Sequence, residues 1–223
     1  MKRSEINSLI LRAIRFAEEQ HFRLPPFAFW TPKEWNSKGH EADEIRDCML
    51  GWDVTDLGGG DFKKMGLVLF TIRNGHPTDP RYPKSYCEKM MIQEDGQYTP
   101  MHFHWNKAED IINRGGGELV IELYNADEKE GLADTDVVVS MDGVRRAVKA
   151  GGTVRLRPGE SICLTQRLYH KFWAENGRAL LGEVSKVNDD QRDNRFLEPL
   201  GRFPAIEEDQ APRYLLCSEY PKP

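Results

Sequence analysis

The sequence changes character near residue 50, and this change constrains the fold more than any other feature. From there to about residue 187, short runs of strand-forming residues alternate with Gly, Asp, Asn and Pro turns. At least eight such runs follow one another, among them GLVLFTIRN, ELVIELYN and DVVVSMDGV. Many short strands in close succession predict a mainly β fold, an antiparallel β-barrel or jelly roll.

The first 50 residues instead carry helical patterns. Apolar residues recur at spacings of three and four and predict an amphipathic helix: Ile6, Leu9, Ile10, Ala13, Ile14 and Ala17. A second helix start is predicted where Thr31 is the cap, Pro32 is the first helical residue and Glu34 completes a capping box. We therefore expect N-terminal helices packed outside the barrel.

The whole chain, residues 1–223, fits one domain with a sizeable core. We predict three parts within it: a helical N-terminal extension (1–50), the barrel (51–187) and a polar, Pro-containing tail (188–223) that wraps the barrel.

Composition excludes several classes of function. The net charge is −5 and no block of Lys and Arg stands out, which argues against a nucleic-acid partner. No run approaches the ~18 apolar residues of a membrane span. The four cysteines are widely spaced and the N-terminus lacks a signal-peptide pattern, so we expect free thiols and a cytoplasmic protein.

Two histidines carry the first chemical signal. His102 and His104 lie two apart in a strand-like segment, so both imidazoles can face the same side. Glu109 follows after room for a turn, and His170 is the candidate for a fourth ligand. Such a pair also occurs on surfaces and in packed cores, which is the alternative interpretation. The remaining histidines show no ligand spacing: His21, His40 and His76.

Three imidazoles and one carboxylate suit a single divalent transition metal. Mn²⁺, Fe²⁺, Co²⁺, Ni²⁺ and Zn²⁺ accept such ligands, whereas Ca²⁺ prefers oxygen throughout. Four protein ligands on a six-coordinate ion would leave two positions for neighbouring oxygens of a substrate.

The spacing around these residues resembles the cupin superfamily. Gly96-x5-His102-x-His104-x4-Glu109-x6-Gly116 resembles the first cupin motif. Gly152-x5-Pro158, followed by Gly159 and His170, resembles a modified second motif, with the histidine further from the Pro-Gly turn than is usual. The resemblance implies a cupin-type barrel that binds a metal through these four residues.

Longer segments resemble the bacterial D-lyxose isomerases nearly end to end. They include LPPFAFWTP, GWDVTDLGGGDF, EKMMIQEDGQYTPMHFHWNKAEDIINRGGG, LYHKFWAE and GEVSKVNDDQRDNRFLEPLGRFP. The resemblance implies a metal-dependent isomerase that interconverts D-lyxose and D-xylulose, with D-mannose and D-fructose as a secondary pair. It also implies Mn²⁺ as the usual metal and a homodimer.

Aldose–ketose isomerisation needs a base, because a proton moves between C1 and C2 through a cis-enediol. Glu183, on the predicted strand Leu180–Ser185, is the first candidate, although a strand carboxylate can also simply face solvent. Glu109 is the rival catalytic carboxylate, but a bound cation would hold it in its charged form and weaken it as a base.

Two further residues are candidates for contact with the sugar. Lys89 stands beside the apolar run Met90–Ile92, and a buried ammonium needs a partner, either a sugar oxygen or an acid. An exposed strand position fits the sequence equally well, but the resemblance implies an active-site role, which makes Lys89 a catalytic and substrate-binding candidate. In the hydrophilic run 188–195, Asp190 ranks above Asp193 and Arg195 as a ligand for sugar hydroxyls.

Two other functions remain open at this point. A histidine-rich site with free positions also suits Fe²⁺ and O₂, as in a metal-dependent cupin oxygenase. The same ligands could serve a non-catalytic sugar-binding cupin, because a fold does not by itself define an activity.

Overall fold

The structure, a computed structural model, describes residues 1–190, 192–201 and 204–223. The helices are α1 (Arg3–Glu19), α2 (Pro32–Trp35) and α3 (Asp43–Asp47), with 3₁₀ turns at Pro26–Phe29 and His40–Ala42. The strands are β1 (Gly51–Thr55), β2 (Leu67–Arg73), β3 (Tyr86–Gln93), β4 (Tyr98–Phe103), β5 (Glu109–Ala126), β6 (Leu132–Ala133), β7 (Val137–Met141), β8 (Val144–Val148), β9 (Thr153–Leu156), β10 (Ser161–Leu164), β11 (Leu168–Lys186) and β12 (Arg195–Phe196).

Two long strands organise the sheet. β5 and β11 pair antiparallel along most of their length. The second half of β11 also pairs with β3, while its first half pairs with β4. The main path through the sheet is β1-β2-β3-β11-β5-β10-β7-β8. The mainly β, cupin-type antiparallel barrel predicted from the sequence is confirmed.

The barrel interior follows from the alternation of side chains along the strands. Residues at every second position of β5 and β11 point inward, and they form one apolar cluster with residues of β2, β3, β7, β9 and β10. Ile111, Ile121, Phe172 and Leu181 belong to it. Burying each such side chain stabilises the fold by roughly 1.5–3 kcal/mol before entropy costs.

The predicted N-terminal helices lie outside this barrel. The apolar face of α1 packs on the outer face of β1–β3, against Trp52, Phe70 and Met90 among others. The capping box is present: the Glu34 backbone N–H donates to Thr31 Oγ1, and the Thr31 N–H donates to Glu34 Oε2. Both features follow from local sequence alone.

The tail crosses the barrel and contributes to its sheet. β12 pairs with β4, so that Phe196 lies opposite His102. The division into extension, barrel and tail remains a prediction, and Gln191, Arg202 and Phe203 of the predicted tail lie outside the described residues. Across the described ranges, every helix is too short or too polar to cross a bilayer.

A buried arginine joins the two ends of the chain. Arg3, at the start of α1, is 1% exposed. Its Nε and Nη2 donate to Glu208, at 2.9 and 2.6 Å, and its guanidinium also contacts Glu219. Both carboxylates belong to the tail, so this cluster anchors the tail on the helix.

We expect Arg3→Ala to lower the free energy of unfolding by about 1.5–3 kcal/mol, since it removes hydrogen bonds between charged groups and leaves two carboxylates without their partner. Urea unfolding measures the change. The exposed Arg15 of the same helix provides the matched control, and Arg15→Ala should change stability by less than ~0.5 kcal/mol. Equal losses in the two variants would contradict the anchoring role.

Candidate metal centre and active site

Three buried histidines converge inside the barrel. His102 lies near the end of β4, His104 follows that strand, and His170 lies on β11 opposite His102. The ring centroids of His102 and His170 are 4.1 Å apart, and that of His104 lies 5.2 and 5.6 Å from them. One ring nitrogen of each lies within 4.8 Å of the others, so the three could hold one metal ion.

Backbone carbonyls fix the tautomer of all three rings. The Nδ1 atoms contact the carbonyl oxygens of Pro100 (2.7 Å, from His102), Asp193 (2.7 Å, from His104) and Leu168 (3.0 Å, from His170). Because a carbonyl only accepts, each Nδ1 carries the proton and each Nε2 keeps its lone pair. This second contact is typical of metal-binding histidines.

The free Nε2 atoms fit a cation. His170 Nε2 is buried and has no hydrogen-bond partner among the described residues. Burial, followed by the neighbouring His170 and His104, lowers the pKa of His102 well below its ordinary value. Burial and then Lys107 lower the pKa of His104. The rings of His102 and His104 are therefore neutral at pH 7, which is the form that binds metals.

Glu109, the first residue of β5, completes this group. Its Oε1 lies 3.3 Å from His170 Nε2, and its Oε2 lies 3.5 Å from His104 Nε2. Burial is the largest single effect and would raise the pKa of its carboxyl, but the Lys107 ammonium, His104 and His170 together outweigh burial and hold that pKa well below its usual range. The structure thus brings together all four residues that the sequence proposed as ligands.

Lys107 is a residue that the sequence analysis missed. Its Nζ lies 2.6 Å from Glu109 Oε2 and 2.8 Å from Glu183 Oε1, and the residue is 3% exposed. The two glutamates outweigh burial and raise the pKa of Lys107 above its ordinary value. A lysine in the polar turn WNKAED is expected to be solvent-exposed. Its position two residues before the predicted ligand Glu109 is the one local signal that indicates a role in the site.

Glu183 and Lys89 form a buried pair on neighbouring strands. They are direct register partners of β11 and β3, and each is 3% exposed. Lys89 Nζ donates to both Glu183 oxygens, at 3.1 and 3.3 Å. Lys107 and then Lys89 outweigh burial and lower the pKa of Glu183. The Glu183 carboxylate therefore points into the barrel and does not face solvent. Lys89 is also buried, and its ammonium group is paired with an acid, Glu183.

Asn188 is the second residue that the sequence analysis did not identify. Its Oδ1 accepts a hydrogen bond from Lys89 Nζ at 2.7 Å and lies 3.5 Å from Lys107 Nζ. A neutral amide oxygen between two ammonium groups holds both without adding charge. Asn188 begins the hydrophilic run, where asparagine is ordinary, so composition carries no signal for this contact.

The remaining candidates of that run differ in their surroundings. Asp190 lines the cavity, so a role in sugar binding stays a prediction for it. Asp193 is buried, and its carboxylate accepts from the backbone N–H groups of Asn106 and Lys107, both at 2.8 Å. Arg195 Nε donates to Glu130 at 3.2 Å. Asp193 therefore holds the turn that carries Lys107.

Several of these side chains line one cavity of about 570 Å³, including the part open to solvent. Its lining includes His102, His104, both lysines and both glutamates, together with apolar side chains such as those of Leu57, Leu69, Met91 and Phe172. A cavity that combines a few convergent polar groups with apolar side chains is typical of small-molecule sites.

The chain matches the family model described as D-lyxose isomerase over residues 1–220. A D-lyxose/D-mannose isomerase of Serratia proteamaculans is 53% identical over 99% of this chain and 98% of its own length. The D-lyxose/D-mannose isomerase of Escherichia coli O157:H7 is 51% identical over the same shares.

Solved structures support the fold. An L-ribose isomerase of Cellulomonas parahominis with L-ribose superposes with a TM-score of 0.57 at 16% identity, covering 97% of both chains. A mutant L-ribose isomerase of Acinetobacter sp. DL28 in complex with L-ribose gives 0.59 at 14% identity, over 93% of this chain and 98% of that one. At these identities the likeness concerns the fold alone.

We expect His170→Ala to lower the amount of Mn²⁺ retained after gel filtration at least ~10-fold, because it removes one nitrogen from a buried ligand set. Elemental analysis of the eluted protein measures the ratio of metal to chain. His76→Ala is the matched control, since His76 contacts the backbone of Thr78 and Asp79 instead of the cluster. Retention of metal by the His170 variant at the level of the control would exclude His170 as a ligand.

Proposed function

The chain belongs to the D-lyxose isomerase family, and we propose that it interconverts D-lyxose and D-xylulose, and also D-mannose and D-fructose, in a metal-dependent reaction. The family assignment makes the chain a sugar isomerase that acts on a small-molecule sugar. It thereby favours isomerisation over the oxygenase and the non-catalytic sugar-binding protein. One observation carries the proposal: the buried Glu183 carboxylate, which lies between two lysines, lines the same cavity as His102, His104 and Glu109.

We assign one divalent ion, Mn²⁺ in first place, to His102, His104, His170 and Glu109. Co²⁺, Fe²⁺, Ni²⁺ and Zn²⁺ suit the same donors. Such an ion supplies Lewis acidity toward neighbouring sugar oxygens. The Nε2 lone pairs of the three histidines and the charged Glu109 carboxylate match the ligand preference of such an ion. The Nδ1 contacts with backbone carbonyls leave these lone pairs free, and the neighbours of Glu109 keep its carboxyl charged.

Glu183 is the proposed base. Its carboxylate takes the proton from C2 of the open-chain aldose, the electron pair of that C–H bond forms the C1–C2 double bond, and the C1=O π pair moves onto O1. The O2 hydroxyl proton passes to O1 within this cis-enediolate, so that the C2 carbonyl can form as C1 is protonated. The resulting carboxylic acid then returns the proton to C1, so no net proton is consumed. The lowered pKa of Glu183 keeps it ionised at neutral pH, which is the form that can accept the proton.

Lys89 and Lys107 support this transfer. Their ammonium groups contact Glu183 and are placed to offset negative charge that develops on the sugar oxygens. Glu109 remains the rival base, but its contacts with His104, His170 and Lys107 favour the ligand role. Asp190 is proposed to bind sugar hydroxyls at the cavity wall.

We also propose that the protein is a homodimer, on the basis of the family resemblance, and that it is cytoplasmic, as expected for a chain with widely spaced cysteines. Light scattering coupled to gel filtration measures the mass of the assembly directly, independent of activity.

The first expected outcome concerns turnover. Protein stripped with EDTA should produce no D-xylulose from D-lyxose, and added Mn²⁺ should restore production, because a metal would stabilise the charge that develops during enolisation. Ketose formation from D-lyxose, D-mannose and D-xylose is followed by chromatography. Undiminished turnover by metal-free protein would contradict metal dependence, and absence of product from every sugar would overturn the proposed substrates.

The second outcome concerns Glu183. We expect Glu183→Gln to retain bound metal and to lower kcat by roughly two to four orders of magnitude, the usual contribution of a general acid–base group. Glu128→Gln, which alters an exposed carboxylate, should leave kcat unchanged. Normal turnover in the Glu183 variant would assign the role of base to Glu109 or Lys89 instead.

A further inference from the structure

Asn74 lies outside the cavity yet connects to its lysines through a single residue. It follows β2, is 4% exposed, and makes two hydrogen bonds to the backbone of Asn188. The Asn188 N–H donates to Asn74 Oδ1 at 3.0 Å, and Asn74 Nδ2 donates to the Asn188 carbonyl oxygen at 3.0 Å. The Asn74 side chain thus makes the two backbone hydrogen bonds with Asn188 that a neighbouring strand would otherwise make.

The location explains why a side chain is needed. β3 separates β2 from β11, but β3 begins at Tyr86, which pairs with Lys186 at the end of β11. Beyond this point the segment that contains Asn188 has left the ladder, and its backbone groups need other partners. Asn74 provides both an acceptor and a donor, which its amide group presents side by side.

The residue after Asn74 allows this close approach. A Cβ on Gly75 would lie 1.8 Å from the carbonyl oxygen of Lys84 and 3.1 Å from Val187 Cγ2. Only a residue without a side chain lets this part of the chain pack against Lys84 and Val187. Asn74 is thereby held against the segment that it fixes, and its Nδ2 also reaches the Cys48 carbonyl at 3.4 Å.

Asn188 in turn holds the catalytic charges. Its Oδ1 lies closer to Lys89 Nζ than either oxygen of Glu183 does, at 2.7 Å against 3.1 and 3.3 Å. The same oxygen lies 3.5 Å from Lys107 Nζ, and both ammonium groups contact Glu183. Movement of Asn188 would therefore alter the position of both lysines and of the carboxylate between them.

We propose that Asn74 is a positioning residue for isomerisation, which acts through Asn188 on Lys89, Lys107 and Glu183. The inference rests on the proposed function, since it takes Glu183 as the base. Asn74 itself is assigned no contact with the sugar or with the metal ligands. Its contribution is the placement of one amide oxygen between two buried cations.

A double-mutant cycle tests the connection. Asn188→Ala and Asn74→Ala should each lower kcat by about 10- to 100-fold, because displacement of catalytic groups by about 1 Å has effects of this size. The KM for D-lyxose and the bound Mn²⁺ should change much less. The double variant should be no slower than Asn188→Ala alone, since Asn74 acts only through that residue.

Asn113→Ala is the matched control. Asn113 is also fully buried, and its side chain donates to the carbonyl oxygens of Gly117 and Leu156, away from the lysines. Asn113→Ala should lower the melting temperature without lowering kcat. When it is combined with Asn188→Ala, the losses in melting temperature should add, and kcat should fall only as far as it does in Asn188→Ala alone. Asn74→Asp preserves volume and the acceptor for the Asn188 N–H, so an intermediate kcat is expected even if Asn74→Ala folds poorly.

Two outcomes would overturn the inference. One is an additive cycle, in which the kcat of the double variant is lowered by the product of the two factors measured for the single variants. The other is an Asn74 variant that lowers the melting temperature while kcat stays at the wild-type value. Either result with an active wild-type enzyme removes only the role of Asn74, whereas a wild type that isomerises no sugar removes the proposed function itself.

Discussion

The arrangement of the barrel interior depends on four charges that are buried together. Lys89, Lys107, Glu109 and Glu183 are each at most 4% exposed. An unpaired charge at such a depth would cost several kcal/mol, so each group must keep its partners. The register of β3 against β11 places Lys89 opposite Glu183, and a slip of one residue would turn one of the two outward and separate the pair. Fold and charge pairing thus impose the same alignment of strands.

The orientation of the three histidine rings is a second constraint, and hydrogen bonds to backbone carbonyl oxygens impose it. Each imidazole donates through Nδ1 to a carbonyl oxygen, and this leaves three Nε2 lone pairs directed at one region. One of these carbonyls belongs to Asp193 of the tail, whose carboxylate also holds the turn that carries Lys107. With Asn188 at the start of the same segment, the tail completes a site whose other parts lie on β3, β4, β5 and β11. It does more than wrap the barrel.

The sequence supplied the parts of this site that have a local signature. The two-residue period of a strand placed His102 and His104 on one side, and the structure brings Glu109 and His170 to them. The capping box at Thr31 and the apolar face of α1 were equally readable, since both depend on residues within a few positions. The inward position of Lys89 could only be posed as one of two alternatives, because a strand has two faces.

Lys107, Asn188 and Asn74 were beyond reach for a common physical reason. Each lies in a polar segment where its residue type is ordinary, and its importance comes from partners 76, 99 and 114 residues away. By itself, the sequence determined the strand-rich barrel, the external helices and the candidate ligands, because local periodicity and spacing encode them. Only the tertiary structure decided which polar groups share one buried site, since that depends on how distant segments meet and on which buried charges then find partners.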